Sequence, residues 1–287
     1  MKVDFFIVGA PKAGTTSLYH YLSEHPQVEM SSQKEPDYFS DKAIHEQGMY
    51  YAKNRVDTLD KYESLFVQKE SVVYGEASVS YLFYENVAED IKKYNPNAKI
   101  IIMLRDPIER AFSHYLMDYR LGLISVSFEK VLAKISKLKN AHLFYQQYIE
   151  LGKYTTQIQR YLDSFEQESI LFIDYDDFKK NVPETVNQVY SFLNISTDFT
   201  ANINTKYNAS TMPKNKIIRF IYSFVFLRKI LTFLFPVYLV RNIRDFLFKA
   251  DEKPELLKET RNQLRKIFND DIRILEEVLG KDYSKWV

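Results

Sequence analysis

The stretch "DFFIVGAPKAGTTSLYHYL" (4–22) constrains this chain more than any other. "DFFIVG" is a short apolar run ending in glycine, which marks a buried strand. From Thr15 to about Glu24 the apolar residues Leu18, Tyr21 and Leu22 have helical spacing, and Thr15, Thr16 and Ser17 are capping types. His25-Pro26 closes the helix. A strand, a glycine-bearing turn and a helix start together make an anion site. The turn's N–H groups point at the ligand, and the helix dipole favours negative charge. Gly9 and Gly14 allow the backbone close to a ligand, and Lys12 adds a point charge. The bland alternative is a strand-to-helix turn that binds nothing.

Further strands are expected at 71–77, 98–104 and 169–178, the second strongly β-branched and ending at Arg105. Helices are expected at 57–67, 83–94, 107–121, 127–139, 154–165 and 183–193, with Pro107 favoured in a first turn. Residues 29–40 read as a loop broken by Pro36. Residues 253–287 read as an amphipathic helix with one stripe of Leu256, Leu264, Ile267, Phe268, Ile274, Leu275, Val278 and Leu279. Strands alternating with helices imply an α/β fold with a central, mostly parallel sheet flanked by helices in three layers. A helical C-terminal elaboration follows it. Ligands of such folds bind beyond the C-terminal strand ends, so the opening loop and Arg105 are expected on one rim.

A chain of 287 residues suits a single domain over 1–287. Its 46% hydrophobic and 27% charged content is that of a globular protein. Absence of cysteine excludes disulfides, thiolate metal sites and a cysteine nucleophile, and fits a reducing cytoplasm. The N-terminal apolar run is too short for a signal peptide. The five histidines lack metal-ligand spacing, so no metal is implied, and no nucleic-acid partner is expected. The net charge of +1 hides an asymmetry: 214–249 holds eight basic residues and one acid, so it carries +7 and the remainder −6.

The loop nearly matches the triphosphate-binding pattern G-x-x-x-x-G-K-[ST]. Gly9 and Gly14 have the right spacing, but Thr15 stands where the lysine belongs and Lys12 lies inside the loop. Arg105, a cation, ends one strand where a magnesium-holding acid would be sought. Asp174 ends another, which keeps a metal-dependent reading open. Two readings of Arg105 stay open: an anion-binding group, or a structural ion pair with Asp106 or Glu109.

At this point a family resemblance becomes specific. "GAPKAGTTSLYHYLSEHP" resembles the 5′-phosphosulfate-binding loop of sulfotransferases that use 3′-phosphoadenosine 5′-phosphosulfate (PAPS). "IIMLRDPIERAFSHY" (101–115) is similar to their 3′-phosphate-binding segment. "KEPDYF" (34–39) is similar to the K-E-x-H-F-F segment of heparan-sulfate-type members, and "LEEVLGKDYSKW" (275–286) to the terminus of bacterial ones. The matches run in family order across nearly the whole chain.

The resemblance implies a P-loop-like fold, PAPS as sulfuryl donor, 3′,5′-ADP as product and no metal. It implies that Lys12 stabilises the leaving phosphate and that Glu35 is the general base. It also implies a 5′-phosphate site along Lys12, Ala13, Gly14, Thr15, Thr16 and Ser17, and a 3′-phosphate site of Arg105 and Ser113. Asp37 stands where heparan-type members carry histidine, and Pro36 replaces an apolar residue. Lys34, Asp37, Ser78, Asn208, Ser210 and Lys214 are further candidates for substrate or donor contact. His114 is a rival base, expected to be structural because it lies in the 3′-phosphate segment. The acceptor is expected to be a hydroxyl or amine on a saccharide or glycolipid, and the setting bacterial and cytoplasmic.

Residues 214–250 are expected to be an apolar, basic helical insertion broken at Pro236, and Arg228-Lys229 interrupts any membrane-spanning run. Three readings compete for 217–248: a hairpin buried on the core, a peripheral contact with anionic lipid at the inner membrane face, or a homodimer interface. Two rivals share these residues at the level of function. One is a magnesium-dependent kinase or nucleoside triphosphatase with a degenerate loop; the other is a non-catalytic, membrane-associated scaffold.

Overall fold

The computed structural model describes residues 2–51, 55–70, 72–133, 140–203 and 254–286, with positions 212–214, 218, 220 and 247–249 between them. In chain order the elements are β1 (Phe5–Gly9), α1 (Thr15–Ser23), β2 (Val28–Met30), α2 (Asp41–Gln47), α3 (Leu59–Glu63), β3 (Val73–Ala77), α4 (Val87–Tyr94), β4 (Lys99–Leu104), α5 (Pro107–Leu121), α6 (Phe128–Leu132), α7 (Ala141–Tyr148), α8 (Thr155–Ser164), β5 (Ile170–Asp174), α9 (Tyr175–Lys180), α10 (Val182–Leu193) and α11 (Lys258–Leu279).

Five strands form the central sheet in the order β2-β3-β1-β4-β5, and every pairing within it is parallel. Met212–Pro213 and Phe248–Lys249 form a separate, two-residue antiparallel pair. Phe5 aligns with Gly75 on one side of β1 and with Lys99 on the other. β1 therefore has no edge, which is why its apolar run is continuous and every residue of it is buried. Parallel strands need crossovers, and the helices between them cover the sheet. This is the layered α/β architecture expected from the alternation, with α11 as its C-terminal helical addition, packed on α5 and α8.

Several boundaries differ from the sequence expectation. The strand at 169–178 ends at Asp174, and the chain turns directly into α9. Asp176 and Asp177 in its first turn and Lys179 and Lys180 in its last suit the helix dipole. The loop expected over 29–40 begins with β2, an edge strand too short to show alternation, and ends in a 3-10 turn at Tyr38–Ser40. α2 and α7 were not anticipated. The helix expected over 127–139 is seen as Phe128–Leu132, and 134–139 lie outside the described residues. The stripe of α11 is Leu264, Phe268, Ile272 and Leu275, all fully buried, whereas Ile274 is 50% exposed. Steps of four, four and three keep those four on one face; Ile274 lies off it. The insertion at 214–250 lies almost wholly outside the described residues, and so do the hairpin, membrane and dimer readings placed on 217–248.

Gly75 is fixed by packing. A Cβ there would stand 2.1 Å from the ring of Phe5, its register partner on β1. Gly75→Ala is expected to cost about 1–3 kcal/mol by overpacking. The check is a shifted midpoint in denaturant unfolding, partly restored when Phe5→Leu is added; an unchanged midpoint would show that the strands give way freely.

Candidate functional site

The loop after β1 is tied down at both ends. The Ala10 N–H donates to the Met103 carbonyl of β4 at 2.7 Å, so the loop starts already bonded to the neighbouring strand. Gly14 has φ 94° and caps α1 with its backbone. A side chain at Gly14 would be strained at that φ and would also press on the rings of Tyr175 and Phe178, at 3.1 and 3.2 Å. The α1 N-terminus has no side-chain cap. The capping role expected for Thr15, Thr16 and Ser17 is therefore corrected: they occupy the first helical positions. The Ser17 N–H and the Leu18 N–H donate to the Gly14 carbonyl. Ala13 and Thr15 are buried; Thr16 and Ser17 are half-buried.

Lys12 sits in the middle of this loop at φ 70°, a left-handed conformation that costs a non-glycine residue about 1 kcal/mol or more. Its Nζ lies 3.4 Å from Met117 Sδ on α5. Its pKa is pushed down to about 8, first by burial and then by the cations Arg120 and Arg105; Asp118 and Glu35 pull weakly the other way. The ammonium is thus held where its charge is poorly compensated, and a bound anion would supply the compensation.

Arg105 follows β4. Its Nη1 donates to the Lys12 carbonyl at 2.9 Å, and its guanidinium lies over the Tyr175 ring at 4.7 Å. Tyr154 Oη donates to the Arg105 carbonyl at 2.8 Å. Asp106 does not pair with it. That carboxylate caps α5, accepting from Ile108 N at 2.8 Å, and burial raises its pKa to about 6. Glu109 is the loose partner, with an oxygen 3.9 Å from Arg105 Nη2. Ser113 lies two turns along α5, half-buried. His114 is buried and held well below the usual imidazole range, first by burial and then by Arg110, whose Nη1 lies 3.5 Å from its ring.

The third part of the site comes from the loop beside β3. The Glu35 N–H donates to the Ala77 carbonyl at 2.9 Å, which pins that loop to the end of β3. The Glu35 side chain is 38% exposed, and its carboxylate pairs with Lys34. Glu35 and Asp37 both have positive φ, 58° and 55°, on either side of buried Pro36. Asp37 points inward: its N–H donates to Ser78 Oγ at 3.0 Å, and its carboxylate accepts from Ser80 Oγ at 2.7 Å. Asp37 and Ser78 therefore act together as a clasp that shapes the loop carrying Glu35.

Lys12 and Arg105 thus follow the neighbouring strands β1 and β4, and Glu35 lies in the loop after β2, bonded to the end of β3 on the other side of β1. Of the remaining candidates, Asn208 and Ser210 lie outside the described residues, and Lys214 is exposed with its N–H bonded to the Leu247 carbonyl. Asp174, the acid that kept a metal open in the sequence, is engaged by Lys281 and by Tyr283 Oη at 3.1 Å.

Sequence reasoning missed a buried carboxylate near Lys12. Asp118 on α5 accepts from Tyr50 Oη and from Tyr148 Oη, each at 2.8 Å, and burial raises its pKa to about 6. No motif in the sequence signals it. Ser80 was also missed, for want of any motif.

The chain resembles known proteins. The sulfotransferase domain family matches residues 2–225. Carbohydrate sulfotransferase 15 of Homo sapiens is 28% identical over 243 residues, covering 67% of this chain and 43% of that protein. The bifunctional heparan sulfate N-deacetylase/N-sulfotransferase 1 of Caenorhabditis briggsae is 25% identical over 205 residues, covering 67% of this chain and 22% of that protein. The chain therefore spans less than half the length of these curated relatives. The crystal structure of a sulfotransferase from Alicyclobacillus acidocaldarius superposes with a TM-score of 0.73 at 28% identity, covering 100% of this chain and 99% of that one. A domain match over most of the chain, a full-length structural match and a glycine loop with its lysine inside rather than after it lead to one assignment: the chain belongs to the sulfotransferase family.

Proposed function

We propose that this protein transfers a sulfuryl group from PAPS to a hydroxyl or amine of a saccharide or glycolipid. The observation that carries this reading is the order of the strand ends. A carboxylate on the loop after β2 that is bonded to the end of β3, a lysine after β1 and an arginine after β4 succeed one another along the rim. PAPS has its reacting phosphosulfate at one end and a separate 3′-phosphate at the other. The line offers Lys12 and the α1 N-terminus to the first and Arg105 with Ser113 to the second. Glu35 is left on the far side of Lys12, where an acceptor would enter.

The acceptor oxygen or nitrogen attacks sulfur in line with the bond to the 5′-phosphate. A new bond to sulfur forms as that S–O bond breaks. The acceptor proton passes to the Glu35 carboxylate, which is the general base. The electron pair of the broken bond stays on the phosphate of 3′,5′-ADP, where Lys12 balances the developing charge. The names of the carbohydrate and heparan sulfate relatives support a saccharide acceptor, and an N-sulfotransferase among them keeps an amine in view. The magnesium-dependent alternative is weaker because Asp174 is already engaged by Lys281 and Tyr283.

Thermal-shift measurements are expected to show stabilisation by 3′,5′-ADP with EDTA present, exceeding that by ATP with magnesium. A preference for ATP with magnesium would overturn the reading. Arg105→Ala is expected to weaken 3′,5′-ADP binding by about 1.5–3 kcal/mol, the range for a hydrogen bond to a charged group.

Turnover separates the two reacting residues. Glu35→Gln should lower kcat with PAPS and a glycan panel by about 10²–10⁴-fold while leaving 3′,5′-ADP affinity intact. Lys12→Ala should lower kcat by about 10²–10³-fold. Full activity in either variant would remove that residue from the reaction, and a native protein without turnover would favour a scaffold.

The pH profile follows from Lys12. Its charged form is the useful one, and its pKa is lowered, so kcat/KM for PAPS should fall as pH rises through about 8 rather than near the usual lysine range. Lys12→Arg, which stays charged, should move that descending limb upward. A limb that does not move would assign it to another group.

A further inference from the structure

The Glu109 carboxylate is shared by two guanidinium groups. One oxygen is 2.6 Å from Arg261 Nη2 on α11, and the other is 3.9 Å from Arg105 Nη2. The sharing is unequal, and the inequality has a chemical use. A carboxylate closing on Arg105 would occupy the donor edge that a phosphate needs and would set a negative charge against it. Arg261 draws the carboxylate the other way. Its position is fixed by its neighbours: Thr260 is buried and donates to Glu129 Oε1 of α6 at 3.3 Å, and the Arg261 N–H donates to the Leu257 carbonyl at 2.9 Å.

We propose that Arg261 is a positioning residue of the anion site: it holds Glu109 off Arg105, so that Arg105 can turn its Nη2 edge to the 3′-phosphate of the donor. The proposal rests on the PAPS reading above. α11 then serves the chemistry without touching the reacting atoms.

The test is a double-mutant cycle on the whole chain, with Kd measured by calorimetry for 3′,5′-ADP and for 5′-AMP, which lacks the 3′-phosphate. R261Q is expected to weaken 3′,5′-ADP about three- to tenfold and to leave 5′-AMP unchanged, a size suited to a part-exposed charge contact. E109Q alone should tighten 3′,5′-ADP. In the E109Q background R261Q should cost less than about twofold, because the two residues act through one interaction. An equal loss in both backgrounds would mean that Arg261 attracts the phosphate directly, which overturns the proposal. An equal loss for both nucleotides would mean that α11 is merely distorted, which also overturns it. If R261Q lowers the unfolding midpoint, R261M keeps the aliphatic stem and carries the same expectations. A native protein with no preference for 3′,5′-ADP over 5′-AMP would sink the donor reading itself, before any variant is compared.

Discussion

The hydrogen bond from Arg105 Nη1 to the Lys12 carbonyl is the contact on which the site depends. It joins the loop after β1 to the end of β4 and brings two cationic side chains to one rim. The lowered pKa of Lys12 records the result: burial pushes it down first, and the like charges of Arg120 and Arg105 add to that. The fold bears this cost through the β1–β4 pairing and the buried core beneath it. A site with surplus positive charge, shaped before any ligand arrives, binds an anion without reorganising, and it favours the state in which most negative charge has developed.

The acceptor side is built on a different principle. Lys12, Glu35 and Asp37 all have positive φ, and none is glycine. Such strain persists only where neighbours over-determine it. Asp37 shows how: Ser78 and Ser80 hold its amide and carboxylate inside, while Glu35 next door keeps its carboxylate part-exposed beside Lys34. Two acids two residues apart are thus given opposite environments. Asp37 is held inside and Glu35 stays part-exposed, and the position where heparan-type sequences carry histidine is the inward one.

How much of this was legible depended on sequence distance. β1 and β4 are continuous apolar runs, and Pro107 marks α5, so the sheet centre and its two cations could be placed from the sequence. β2 could not: it has three residues and an edge position, too little for a period. Asp118 reads as an ordinary solvated helix residue until Tyr50 and Tyr148 arrive from elsewhere in the chain. The Arg261–Glu109 contact spans 152 positions, and nothing in a single sequence pairs two such surface-type residues. Motifs expose groups that meet a ligand. Groups that hold those groups carry no motif, because many residue types in many places could do the same work.

The C-terminal helix bears on Arg105 from two directions. Asp271 accepts from the Tyr154 N–H at 2.7 Å, and Tyr154 in turn donates its hydroxyl to the Arg105 carbonyl. One turn beyond Arg105 the Arg261 side chain meets Glu109. The backbone of Arg105 is therefore steadied from one end of α11, and the charge around its guanidinium is set from the other. A lone arginine at a strand end would be free to follow whichever carboxylate lay nearest, and Glu109 is always near, four residues away on α5. Packing α11 against α5 removes that freedom. On this argument the helix belongs to the anion site as much as the glycine loop does, although no residue in it resembles a phosphate-binding motif.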